Sequence, residues 1–376
     1  MRTITLASVL LLLTAPVSRA ATITVDGATC VLADAIVAAN TDTAAGGCSG
    51  GDLGADVIVL DADVTLVAVD VTSTVHDGLA AALPDVTDDL TIRAGLGGVI
   101  ERDPTFTCEV GTADPVFRFL NQASGTLTLE NLRFEHGCAV SSDVDGGGIY
   151  SEEDTELVLD GVTVSDHTAI ATTGSLRGGF LFFDGDRAVI SRSTFVDMSI
   201  ETEVASLDGG VLYINEFRSE TLISDTLLSN FRGVCGGGID GAAINARGGL
   251  EIVDTTFEDF TLSSDSISRG GALYGGSSST FTLERASFRR FTVVAGGDLD
   301  GGAIYTTVED LILKDVVFSD FDLSPDGDCD GGVINTTEDG PFLGLVVEDI
   351  RCTGGGDVRG GAVQFRNNSD PMMRDC

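Results

Sequence analysis

The chain is 376 residues long, with 59 acidic against 21 basic side chains and a formal charge of -38 at pH 7. Such a surface repels DNA, RNA and anionic lipid and attracts cations, so no nucleic acid partner is expected. Forty-eight glycines argue against helical repeats, because each interior Gly costs a helix about 1 kcal/mol relative to Ala.

Residues 1–20, "MRTITLASVLLLLTAPVSRA", open with Arg2, continue through an apolar stretch from Ile4 to Val17, and place small Ser18 and Ala20 before Ala21. The stretch is too short to span a bilayer and reads as a secretory signal peptide. The mature chain is therefore expected to be secreted or at the cell surface. No later segment approaches the roughly 18 unbroken apolar residues of a membrane helix, so no transmembrane segment or anchor is expected in the sequence as given.

Residues 21–55 read as an N-terminal cap. "CVLADAIVAAN", Cys30 to Asn40, carries apolar Leu32, Ala35, Ile36 and Ala39 at helical spacing. A helix there would cover the open end of a strand stack. Eight cysteines and no CxxC pair in an exported chain point to disulfides rather than zinc. Cys30 with Cys48 and Cys108 with Cys138 are the first pairings to expect, each contributing roughly 3 kcal/mol in the chain-entropy picture; the remaining connectivity stays open.

From residue 56 to 376 the chain repeats. Gly pairs recur as "DGGGIY" (Asp145), "RGGFLF" (Arg177), "DGGVLY" (Asp208), "DGAAIN" (Asp240), "RGGALY" (Arg269), "DGGAIY" (Asp300), "DGGVIN" (Asp330) and "RGGAVQ" (Arg359), 29 to 32 residues apart. Between them run alternating segments such as "LTLENLRF" ending at Phe134 and "FTLERASF" at Phe288, with a two-residue interruption before the alternation resumes. That pattern is strand, bend, strand. The architecture it specifies is all-β: a solenoid of about 30-residue coils whose short parallel strands pair with the coils on either side, about 4.8 Å away. Ile149, Leu181, Leu212, Ile244, Leu273, Ile304, Ile334 and Val363 should form one interior ladder. Phe134, Phe195, Phe257, Phe288 and Phe318 should belong to another. The tail "RNNSDPMMRDC" does not read as a cap.

Stacking also aligns the residues that precede the glycines. Each interior Arg then lies between two aspartates, leaving two Asp-over-Asp steps, Asp208 over Asp240 and Asp300 over Asp330, where a cation would relieve repulsion. "DGDCDGG", with Asp326, Asp328 and Asp330, has the spacing of a calcium loop, although Thr337 stands where a bidentate Glu belongs and Glu338 comes one place late. Calcium is thus the one cofactor the sequence suggests. Tyr150, Tyr213, Tyr274 and Tyr305 all follow the Gly repeat and should line one face, an aromatic ladder of the kind that stacks on sugars. His76, His136 and His167 share no motif, and no nucleophile elbow, phosphate loop or metalloprotease helix is present.

The run from Cys30 to Asn40 resembles the "CSLREAI" signature that opens many exported right-handed parallel β-helix proteins, with Val31 for Ser, Ala33 for Arg and Asp34 for Glu. The Gly-Gly-Ala-Ile copies are similar to the repeat of the chlamydial polymorphic outer membrane proteins, and "DDLTIRAGLGGVIERD" and "GTLTLENLRFEHG" look like the irregular early coils of that wider group. This sequence reads Phe-x-x-Phe where those repeats pair with Phe-x-x-Asn, and it lacks their carboxy-terminal barrel. The resemblance implies a right-handed coil and a non-catalytic surface or adhesion protein of the outer membrane or exterior, with an extracellular glycan or cell-surface component as partner. The alternative is a polysaccharide lyase or glycoside hydrolase on the same scaffold, working with paired carboxylates or with calcium and an arginine.

Overall fold

The computed structural model describes residues 20–276, 280–308, 310–337 and 340–366, and the backbone of 372–374. The signal peptide expected at 1–20 lies outside these residues except for Ala20. Every strand-to-strand ladder between coils is parallel, and about 11 coils of about 31 residues stack into one β-helix. Each coil returns to the same sheet by a crossover between parallel strands, a connection that is right-handed almost without exception.

The coil from Thr280 shows how the sequence is used. Thr280–Glu284 contributes to the first sheet, Ser287–Ala295 to the second, Leu299–Asp300 to the third and Ile304–Thr306 to the fourth. The interruption between the first two is Arg285, at φ 54. A single left-handed residue turns the chain and restores inward-pointing phase on the far side. Equivalent corners fall at Asn131, Gly161, Arg192, Asp225, Asp254 and Asp315.

Both expected interior ladders are present. Ile304 pairs in register with Leu273 on one side and Ile334 on the other, and all three are fully buried. Phe257, Phe288 and Phe318 stack with ring centroids 4.7 and 4.9 Å apart. The Phe-x-x-Phe departure has its own explanation. A second corner at Asp259, Arg290 and Asp320, each at φ 58 or 59, brings the second Phe inward as well. Phe231, Phe260, Phe291 and Phe321 therefore stack as a further buried column, at 5.1, 4.7 and 4.8 Å. Rings packed this way add about 0.5–1.5 kcal/mol each beyond the area they bury.

The Gly pair has two separate causes. Gly301 sits at φ 67, where a side chain is strained. A Cβ on Gly302 would stand 2.4 Å from the carbonyl oxygen of Gly332 in the next coil. The first glycine makes the turn and the second admits the neighbouring backbone.

The N-terminal helix spans Leu32–Thr41, starting two residues later than Cys30. The reason is local: the Asp26 carboxylate accepts hydrogen bonds from the backbone N–H groups of Ala28, Thr29 and Cys30, holding them in a turn. Leu32, Ala35, Ile36, Ala38 and Ala39 are buried against the end of the stack. Thr22–Val25, within the expected cap, already pairs with Asp56–Leu60 as the first rung of the first sheet. Disulfides join Cys30 to Cys48 and Cys108 to Cys138 as expected, and also Cys329 to Cys352. Cys235 is a buried free thiol, pushed up to about 11 by desolvation. Among the described residues no helix is long and apolar enough to cross a membrane.

Candidate functional site

The turn at each Gly pair folds the third sheet against the fourth, so that outward residues of both meet along a crease. One wall is the row expected from the sequence, Asp145, Arg177, Asp208, Asp240, Arg269, Asp300, Asp330 and Arg359, in unbroken register. The other wall is Asn121, Tyr150, Phe182, Tyr213, Asn245, Tyr274, Tyr305, Asn335 and Gln364. The walls touch: Asn335 Nδ2 donates to Asp300 Oδ1 at 3.2 Å, and the Arg177 guanidinium lies 5.4 Å from the Phe182 ring centre and 5.8 Å from that of Tyr213. The acids and the tyrosines singled out separately in the sequence thus belong to one surface.

The charges in the crease are largely matched by one another. Arg177 pairs with Asp145. Arg269 lies between Asp240 at 3.5 Å and Asp300 at 3.8 Å, and Arg359 reaches Asp330 at 3.4 Å and Asp328 at 2.8 Å. The two Asp-over-Asp steps behave differently. Asp300 over Asp330 is bridged by Arg366, a residue outside the aligned position, which pairs with Asp300 and lies 3.8 Å from Asp330. Asp208 over Asp240 has no such bridge among the described residues, and burial together with the Asp240 charge pushes the Asp208 carboxyl up to about 6. Burial likewise raises Asp240 against the pull of Arg269, and Asp300 against that of Arg366.

The calcium-loop spacing does not produce a calcium loop. Asp326 is exposed. Asp328 accepts a hydrogen bond from the backbone N–H of Asp357 at 2.8 Å and pairs with Arg359, as Asp330 also does. Their carboxylates turn to neighbouring coils instead of converging, because each turn is built to bond its stacked copy. Glu338 lies outside the described residues.

The tyrosine row is a stack, with ring faces against ring faces. Tyr150 and Phe182 are 5.0 Å apart at 3°, Phe182 and Tyr213 5.4 Å at 13°, and Tyr274 and Tyr305 5.4 Å at 15°. Tyr213 is only 2% exposed and Tyr305 8%. The open aromatic faces expected from the sequence are therefore covered by the neighbouring coils. Burial raises the Tyr150 hydroxyl to about 12 and raises Tyr213 and Tyr274 also, so these groups remain hydrogen-bond donors at neutral pH.

At the N-terminal end of the crease the structure gathers residues that have no repeat to announce them. His76 stacks on Tyr150 at 4.0 Å and lies 3.2 Å from Glu152. Arg118 is fully buried, donates to the His76 carbonyl oxygen at 2.9 Å, and lies 5.1 Å from the Tyr150 ring centre. Asp145 is pushed up to about 7 by burial and by the neighbouring Asp77 carboxylate. His76, Asp77 and Arg118 come from the two irregular early coils that start at Asp56 and Leu90, where no internal copy marks a position. His167 is a core histidine: buried, held by the Gly179 carbonyl oxygen at 2.8 Å, and lowered to about 4 by desolvation.

Fold and crease together define the class: a long parallel β-helix with a charged row and an aromatic and amide row side by side in continuous register. Comparison with protein-family models, with curated proteins and with solved structures returns no match.

Proposed function

We propose that this is a non-catalytic protein, exported by the signal peptide at 1–20, that uses the crease to bind an extended neutral glycan at a cell surface or outside the cell. The observation that carries the reading is the register of the crease. The same two walls repeat in every coil from Asp145 to Arg359, which suits a polymer of repeating units better than a compact small molecule. Rungs about 4.8 Å apart are close in length to one sugar of an extended chain. The half-buried Tyr150 and Tyr274, the partly exposed Asp240 carboxylate and the guanidinium groups of Arg177, Arg269 and Arg359 offer donors and acceptors for sugar hydroxyls. Three disulfides fit an oxidising compartment, and the likeness of the Cys30–Asn40 run and the Gly-Gly repeats to exported surface β-helix proteins agrees with adhesion. Binding arrays of neutral and acidic glycans, read with the wild type and with Tyr150→Ala and Tyr274→Ala, test it. Binding to extended neutral glycans that weakens in both variants supports the reading; binding unchanged in both removes the crease from it.

One observation favours the enzymatic alternative. Burial and the neighbouring Asp77 carboxylate push Asp145 up to about 7, into the range of a proton donor to a glycosidic oxygen. Release of reducing ends from a bound glycan, lost in Asp145→Asn, would select a glycoside hydrolase over the binding protein.

A further inference from the structure

Away from the crease, on the second sheet, three metal-ligating side chains meet. Glu101 and Glu135 stand opposite each other in register on adjacent coils. His136, the residue after Glu135, occupies a left-handed corner at φ 56, which turns its ring back beside the two carboxylates. One ligand atom from each of the three lies within 4.8 Å of the others, the only such group of three or more His, Cys, Asp or Glu among the described residues.

The surroundings hold these groups as a coordination sphere would. Thr65 Oγ1 donates to Glu101 Oε1 at 3.2 Å, and Arg133 pairs with Glu135 Oε1. Each glutamate is therefore oriented through one oxygen with the other left over, the outer-shell pattern that fixes metal ligands. Among the described residues no arginine or lysine pairs with Glu101; its ionic neighbour is His136, whose Nδ1 lies 3.5 Å from Glu101 Oε2. That Nδ1 is shielded from water and has no hydrogen-bond partner. Two carboxylates facing each other across a rung repel, and Arg133 pairs with Glu135 alone of the two. A cation would satisfy the orphaned nitrogen and both carboxylates at once.

We propose that Glu101, Glu135 and His136 bind one divalent transition-metal cation, with zinc the best match to a mixed imidazole and carboxylate donor set. Two donors each about 2 Å from one ion are at most about 4 Å apart, so the site closes by small rotations of the glutamates. The His136 side chain is 38% exposed and that of Glu101 23%, so the site lies at the surface and a small side-chain movement admits an ion to the shielded Nδ1. Calcium, which prefers oxygen ligands alone, is a poorer match. The site lies on a different sheet from the crease and does not rest on the glycan reading.

The test is calorimetric titration of the chelator-treated full chain with zinc, together with cobalt absorption as a reporter of nitrogen ligation. The variants are His136→Asn, which tolerates the left-handed corner, and Glu101→Gln, with circular dichroism confirming the wild-type fold. One zinc per chain, weakened roughly tenfold or more in both variants with loss of the cobalt band in His136→Asn, is the expected result. No stoichiometric zinc binding, or zinc binding undiminished in the folded variants, overturns the proposal.

Discussion

Arg366 pairs with Asp300 and lies 3.8 Å from Asp330, so one guanidinium serves two carboxylates stacked in register on the coils before it. It also lies 5.4 Å from the Tyr305 ring centre. The acid row and the aromatic row are joined through this residue.

Arg366→Gln should therefore be costly. Asp300 is 7% exposed, and removing a charged partner from a buried carboxylate costs about 1.5–3 kcal/mol. The denaturant midpoint should fall, and fall less as the pH is lowered, because burial raises the Asp300 carboxyl against the pull of Arg366. An equal fall at every pH would show that Arg366 acts through packing alone.

Stability should rise as the protein is mildly acidified. Asp145 and Asp208 titrate at about 7 and about 6 when folded, above the unfolded value of about 4, so the folded state holds more protons between those limits. Their favourable contribution is complete below pH ~4 and is lost as pH rises through 6 and 7. Asp63 and Asp160, held low by backbone N–H groups and by Arg192 respectively, act in the opposite sense and lose their contribution as pH falls below about 4. Urea midpoints from pH 3 to 8 should peak between these limits. Asp208→Asn should flatten the fall on the alkaline side.

Phe291→Ala removes a fully buried ring between Phe260 and Phe321. A loss of about 3–5 kcal/mol is expected. The double variant with Phe260→Ala should lose less than the sum of the two, because the stacking between those rings is removed once and not twice; this is checked by a double-mutant cycle in urea.

The corner at Asp320 separates backbone strain from side-chain contacts. Asp320→Gly should stay within about 0.5 kcal/mol of wild type, since Gly accepts φ 58 freely. Asp320→Val should lose about 1–2 kcal/mol, read from the same denaturation curves.

Much of this was legible in the sequence because a solenoid repeats its local rules. The phase of Ile304 and the positive φ of Gly301 follow from eight aligned copies, and the Asp and Arg order before the glycines translates directly into a stacked row. What the repeat does not encode was hidden. Arg366 lies outside the aligned position, so its bridge to Asp300 has no copy to reveal it. Cys329 and Cys352 are less than one coil apart and join two interior rows, a geometry that spacing alone does not suggest. The Tyr faces could be assigned to one side from sequence, but their burial depends on Phe182 filling the rung between Tyr150 and Tyr213. His76, Asp77 and Arg118 sit in two early coils without periodicity. Glu135 and His136 are neighbours in sequence, but Glu101 joins them only through the register of the second sheet.

The length dependence of glycan binding tests the crease most directly. Affinities for a series of oligosaccharides, from disaccharide to chains of eight or more units, should increase stepwise as each added sugar meets another rung, with every chain recovered uncut. Affinity that is already complete at the disaccharide, or shortening of the chains during incubation, would contradict a continuous non-catalytic binding surface.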